Sequence, residues 1–93
     1  MSRVKPIELW CREAGIRRSY RSLDSLARAA GVHKWALYWW IRGGREPVLS
    51  SLLALADGLK LPVEPVARAC AAARVRYLAK QAAEAARRDA LKG

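Results

Sequence analysis

The 93-residue sequence predicts an all-α fold, a single domain of five helices of which the last is long. Three observations predict it. No run alternates Val, Ile or Thr as a half-buried strand would, and Ala is abundant, which favours helix throughout. Apolar residues recur instead at i, i+3, i+4 and i+7. Gly or Pro stands at each break between such runs. An apolar content of 53% suffices for one modest core without disulfide or metal support.

Helix 1 is expected over about residues 5–14. Pro6 suits its first turn, Ile7, Trp10, Cys11 and Ala14 form its apolar stripe, and Gly15 can stop it. After the loop GIRRSYRS, Ser22 is a good N-cap for helix 2, about 23–30, with Asp24 placed to complement the helix dipole. Leu23, Leu26, Ala27 and Ala30 face inward, and Gly31 ends the helix. Helix 3 runs from about Lys34 to Arg42 and stops at Gly43-Gly44. Helix 4 runs from about Val48 to Gly58; Leu49, Leu52, Leu53, Leu55, Ala56 and Leu59 make it very apolar, so it is expected to be the most buried helix. Pro62 and Pro65 punctuate the approach to helix 5, about 65–90, whose stripe is Val66, Ala69, Cys70, Ala73 and Tyr77. Large apolar residues vanish between Leu78 and Leu91, and this end is expected to project or fray.

Charge narrows the function. The chain carries 18 Lys and Arg against 8 Asp and Glu, a net charge of +10 that attracts polyanions, nucleic acid first and an anionic membrane surface second. Both ends share it, so a folded basic body is implied and not a disordered arm. Cys11 and Cys70 lack CxxC spacing and only one histidine is present, too few ligands for a zinc site; the thiols read as small buried hydrophobes. No apolar run is long enough to span a bilayer, and MSRVKPIELW is too short and too charged for a signal peptide. A cytoplasmic, nucleoid-associated protein is expected. No nucleophile with its base and no carboxylate pair stands at catalytic spacing, so neither enzyme activity nor a cofactor, metal or small-molecule ligand is expected.

One constellation is specific. In SLDSLARAAGVHKWALYWWIRGG, Ala27 allows close approach of a second helix, Gly31 supplies a turn that favours glycine, and Leu26, Ala30, Val32, Leu37 and Trp40 pack the angle between the helices. This is a helix-turn-helix pattern. Continuing through RGGREPVLSSLLALADGLKL, residues 7–61 resemble the lambda-repressor-like, Cro-type family of bacterial and phage DNA-binding proteins. The resemblance implies a five-helix DNA-binding domain that often acts as a dimer on a palindromic operator. Two departures stand out: the loop between helices 1 and 2 is about four residues longer than usual, and Ile41 stands where the family commonly has Glu, so the usual polar contacts there are not carried over.

Helical geometry divides WALYWW, residues 35–40. With Lys34 at zero and roughly 100° per residue, Tyr38, Arg42, Trp35 and Trp39 fall between about 40° and 140°, while Ala36, Trp40 and Leu37 fall between about 200° and 300°. Ile41 lies on the border. One aromatic belongs to the core and three look outward. In a helix-turn-helix the outward face of the second helix enters the major groove, so the resemblance implies base reading by Lys34, Trp35, Tyr38 and Trp39. It implies phosphate contacts from Arg17, Arg18, Arg21, Ser22, His33, Arg42 and Arg45. Two rivals stand beside this for the aromatics: all four in the core, or an exposed protein-binding hot spot. The basic loop is otherwise a solvated surface, and His33 is either a poor N-cap or a phosphate contact. The early stripe of helix 5 either closes the core or, as the last helix often does in this family, carries the dimer contact through Val66, Cys70, Ala73 and Tyr77. The reading that follows is a sequence-specific regulator of phage, plasmid or mobile-element type, a repressor by default, binding double-stranded DNA as a homodimer. The leading alternative is an interaction protein, such as an antitoxin or anti-activator, using the aromatic face or helix 5; a third is a nonspecific nucleoid or RNA-binding basic helical protein.

Overall fold

Five helices follow one another in a computed structural model that describes residues 5–17, 20 and 22–92: α1 (Pro6–Glu13), α2 (Leu23–Ala30), α3 (Lys34–Arg42), α4 (Leu49–Gly58) and α5 (Val63–Lys92). Among the described residues there is no strand, and the chain is all-α. None of the helices is long and apolar enough to cross a membrane.

The boundaries follow from local chemistry. Ser22 caps α2, its hydroxyl accepting the Ser25 amide at 3.2 Å. Each of the first four helices closes in the same way, an amide reaching back five residues: Ile16 to Cys11, Val32 to Ala27, Gly44 to Trp39 and Leu61 to Ala56. This closure needs a residue in the left-handed region just past the helix. Gly31 and Gly43 fill it for α2 and α3 at φ +71° and +84°, whereas Lys60 fills it for α4 at φ +56°. Pro65 costs α5 nothing, because it lies in the first turn, where no intrahelical amide bond is needed.

One core unites the helices. Trp10, Leu26, Leu37, Leu55 and Val66, one from each helix, are fully buried, with Cys11, Ala14, Ala27, Ala30, Trp40, Ile41, Ala56, Ala69, Cys70 and Ala73 around them. Small residues set the spacing. A Cβ on Gly58 would come within 1.8 Å of the Ala30 carbonyl oxygen, and one on Gly43 within 2.1 Å of that of Ala73, so α4 packs backbone to backbone on α2 and the end of α3 on α5.

One expectation is corrected and two open ones are decided. Helix α4 is the most apolar of the short helices, yet it buries only Leu55 and Ala56; Leu49 is 69% exposed and Leu53 49%. It packs mainly on α2 and α5, and a helix with neighbours on one side covers one stripe whatever its composition. Ile41, on the border by geometry, is buried, because α1 and α5 both pack on α3 and close that side. The end of α5 projects: it is helical to Lys92 and exposed from Leu78 onward apart from a half-buried Glu84. Its Ala-rich composition carries the helix without a second partner.

Candidate nucleic-acid interface

Helix α3 is held in place from three sides. Leu37, Trp40 and Ile41 anchor it in the core, and Gly31, Val32 and His33 join it to α2 in a tight turn. Its start is capped by His33, whose Nδ1 accepts the Trp35 amide at 3.3 Å. His33 therefore serves as the cap, and the rest of its ring stays at the surface. Its end is capped by Arg74 of α5, whose Nη1 donates to the carbonyls of Gly43 at 2.9 Å and Gly44 at 3.1 Å. Those carbonyls lie at the negative end of the α3 dipole, where a cation is favourable.

The outward face of α3 is an aromatic ladder edged with cations. Trp35 is 59% exposed and Trp39 40%. Tyr38 stands between them, edge to face with each, at centroid distances of 5.7 and 5.2 Å. It is half-buried and not fully outward, since the flanking indoles and the Arg42 guanidinium, 5.2 Å from its ring centre, cover it. Lys34 lies 5.8 Å from the centre of the Trp35 ring, and its ammonium is 3.1 Å from the Asp24 carboxylate. An anion reaching Lys34 must therefore compete with Asp24, although both groups are well exposed and such a pair is weak. Trp39 leans back on Gly44, where a Cβ would come within 2.7 Å of its ring.

The structure brings Lys34, Trp35, Tyr38, Trp39 and Arg42 onto one face of α3, with the Ser22-capped start of α2 beside Tyr38 and Arg42; Arg45, past the end of α3, is exposed. The Ser22 hydroxyl is engaged in its cap, bonded also to Ser25 Oγ at 3.2 Å. Arg17 is exposed in the α1–α2 loop, whereas Arg18 and Arg21 lie outside the described residues. The stripe assigned to a dimer contact is corrected: Val66, Cys70 and Ala73 are buried inside the chain against α1, α3 and α4 and cannot meet a partner, and Tyr77 is half-buried. That stripe closes the core. Burial also governs the thiols: it pushes that of Cys11 up to about 11 and raises that of Cys70, so both stay protonated at neutral pH. Among the described residues no three His, Cys, Asp or Glu side chains come together as metal ligands would.

Two features went unforeseen. Arg74 pins the end of α3, and its only sequence signal is a cation on the inward side of a helix. An open groove runs between α3 and α5, lined by Tyr38, Trp39 and Arg42 on one side and by Arg76, Tyr77 and Lys80 on the other. The row of cations continuing along α5 at i, i+4 and i+11 was visible in the sequence; its position beside α3 was not. No protein-family model matches the chain, and neither a curated protein nor a solved structure matches it.

Proposed function

We propose that the protein is a sequence-specific double-stranded DNA-binding regulator that inserts α3 into the major groove, a binding protein and not an enzyme. One observation carries the reading most: an aromatic ladder edged by Lys34 and Arg42 stays exposed on a nine-residue helix whose opposite side is locked in the core. A helix fixed in this way presents its outward side chains in a set geometry, as base recognition requires. Lys34 donates to guanine O6 or N7; the indoles offer apolar contact to thymine methyls and one N–H donor each, and Tyr38 offers its hydroxyl. Arg42, Arg45 and the amides at the start of α2 take phosphates, which set register and salt dependence but carry no sequence information.

On this reading the fold is of the lambda-repressor-like kind. Two copies occupy a palindromic operator, and repression by promoter occupancy is the default mode for a regulator of phage, plasmid or mobile-element type in the cytoplasm. A second reading has its own support. A tryptophan exposed to the extent of Trp35, beside another at Trp39, also fits a protein-binding hot spot.

A mobility-shift titration against the DNA upstream of the protein's own coding region, at two salt concentrations and with scrambled competitor, separates the two. Specific retardation is expected. Equal competition by scrambled DNA removes the operator-reading claim, and absence of any shift moves the protein-partner reading forward.

A further inference from the structure

The reading of α3 leaves the second half of α5 without a role. From Leu78 the helix runs on for about four turns, its first part bordering the body, and is exposed on nearly every side. A helix that buries so little is maintained here by propensity alone, and what it displays is charge.

The charge is ordered. At 100° per residue, Arg76, Lys80 and Arg87 fall within about 40° of one another, a row about 16 Å long. The row begins in the groove of about 500 Å³ between α5 and α3. One wall carries Tyr38, Trp39 and Arg42, the other Arg76, Lys80 and Glu84, so three cations face one carboxylate. Arg76 is held at 3.0 Å by Glu13 of α1, which fixes its position while partly neutralising it. Among the described residues neither Lys80 nor Arg87 lies within ion-pairing distance of a carboxylate. The groove opens beside the same Trp39 and Arg42 that α3 turns outward. A duplex that receives α3 in its major groove must carry one sugar–phosphate strand past that edge, and a row of this length spans several consecutive phosphates.

We propose that the distal half of α5 is a second wall of the DNA interface: the strand bordering the major groove lies in the α3–α5 groove, gripped by Arg42, Arg76 and Lys80, and Arg87 extends the grip beyond the body. This inference rests on the DNA reading of α3. It adds sequence-independent affinity and a longer footprint to a recognition helix whose own face is mostly aromatic.

The test is the salt dependence of binding to a mixed-sequence duplex of about 30 base pairs, roughly three helical turns, followed by fluorescence anisotropy. Lys80→Gln/Arg87→Gln is expected to bind several-fold more weakly and to flatten the slope of log K against log salt by about 0.9 for each cation removed. Glu84→Gln, which removes the one carboxylate of the groove, is expected to bind more tightly, a gain that misfolding cannot imitate. Arg68→Gln removes a charge about 18 Å back along the helix and about 120° around it from Lys80, and is expected to leave the slope close to that of the wild type. Circular dichroism confirms that each variant keeps its helix. If the double variant keeps the wild-type slope while the wild type still prefers its upstream DNA over scrambled DNA, the α5 wall is overturned and the reading of α3 stands. If Arg68→Gln flattens the slope as much per charge, the effect is net charge and the wall is likewise overturned. If the wild type binds no duplex, both readings fall; slope loss seen only with single-stranded RNA of the same length would assign the row to a different partner and overturn the proposal as stated.

Discussion

Helices α3 and α4 are neighbours in the chain and nearly equal in length, but they use their apolar residues in opposite ways. Helix α3 buries three of its nine residues, Leu37, Trp40 and Ile41, because α1, α2 and α5 surround its inner side. Helix α4 has four leucines and two alanines in ten residues and buries only Leu55 and Ala56, because α2 and α5 meet one stripe of it. What remains exposed differs as well. On α3 it is a ladder of aromatics braced edge to face and edged with cations, whereas on α4 it is Leu49 and Leu53 with Val48 beside them. Burial is thus decided by how many neighbours a helix has, not by how apolar it is. The exposed residues that carry a functional reading are those held in geometry by their own neighbours.

Truncating a side chain on each helix should separate the two cases clearly. Trp40→Ala should cost about 3–5 kcal/mol of stability in urea unfolding, the range for a buried aromatic. Leu53→Ala, equally apolar but on the uncovered flank of α4, should change it by no more than about 0.5 kcal/mol. A large loss at Leu53 would mean that α4 is covered by something, a second copy included, and would show as a concentration-dependent midpoint.

A smaller effect tests what fixes the end of α3. Gly43→Ala forces a side chain into the left-handed region at φ +84° and against the Ala73 carbonyl, so it should destabilise by about 1–3 kcal/mol or more. It should also loosen the α3–α5 contact, detectable as faster amide exchange at Trp39 to Gly44. The smallest effect has the opposite sign. Lys60 occupies the corresponding position after α4 at φ +56°, and Lys60→Gly should stabilise by roughly 0.5–1 kcal/mol, measured as a rise in Tm.

Much of this fold was legible in the sequence because its helices are closed by local chemistry. Ser22, Gly31 and Gly43 mark the ends of α2 and α3, and the division of WALYWW into core and surface followed from helical period alone. The burial of α4 was not legible: composition does not say that its neighbours would cover one stripe of it. Nor was Ile41, whose side of α3 is closed by α1 and α5, residues distant in sequence. The α5 stripe suited a core or a dimer equally well, and only its packing against α1, α3 and α4 decides for the core. The candidate interface divides similarly. Lys34, Trp35, Tyr38 and Trp39 share a face by period, while the Asp24 bridge to Lys34, the Arg74 cap and the groove beside α5 are tertiary facts.

On the proposed function, the exposed face of α3, and not that of α4, meets DNA bases. Competition titrations of the upstream duplex against a scrambled duplex, run on wild type, Trp39→Ala and Leu53→Ala, test it most directly. Trp39→Ala should lower the specific affinity by about 1–3 kcal/mol and leave scrambled binding nearly unchanged, with Leu53→Ala indistinguishable from wild type. Unaltered discrimination in Trp39→Ala, or its loss in Leu53→Ala, would contradict the assignment.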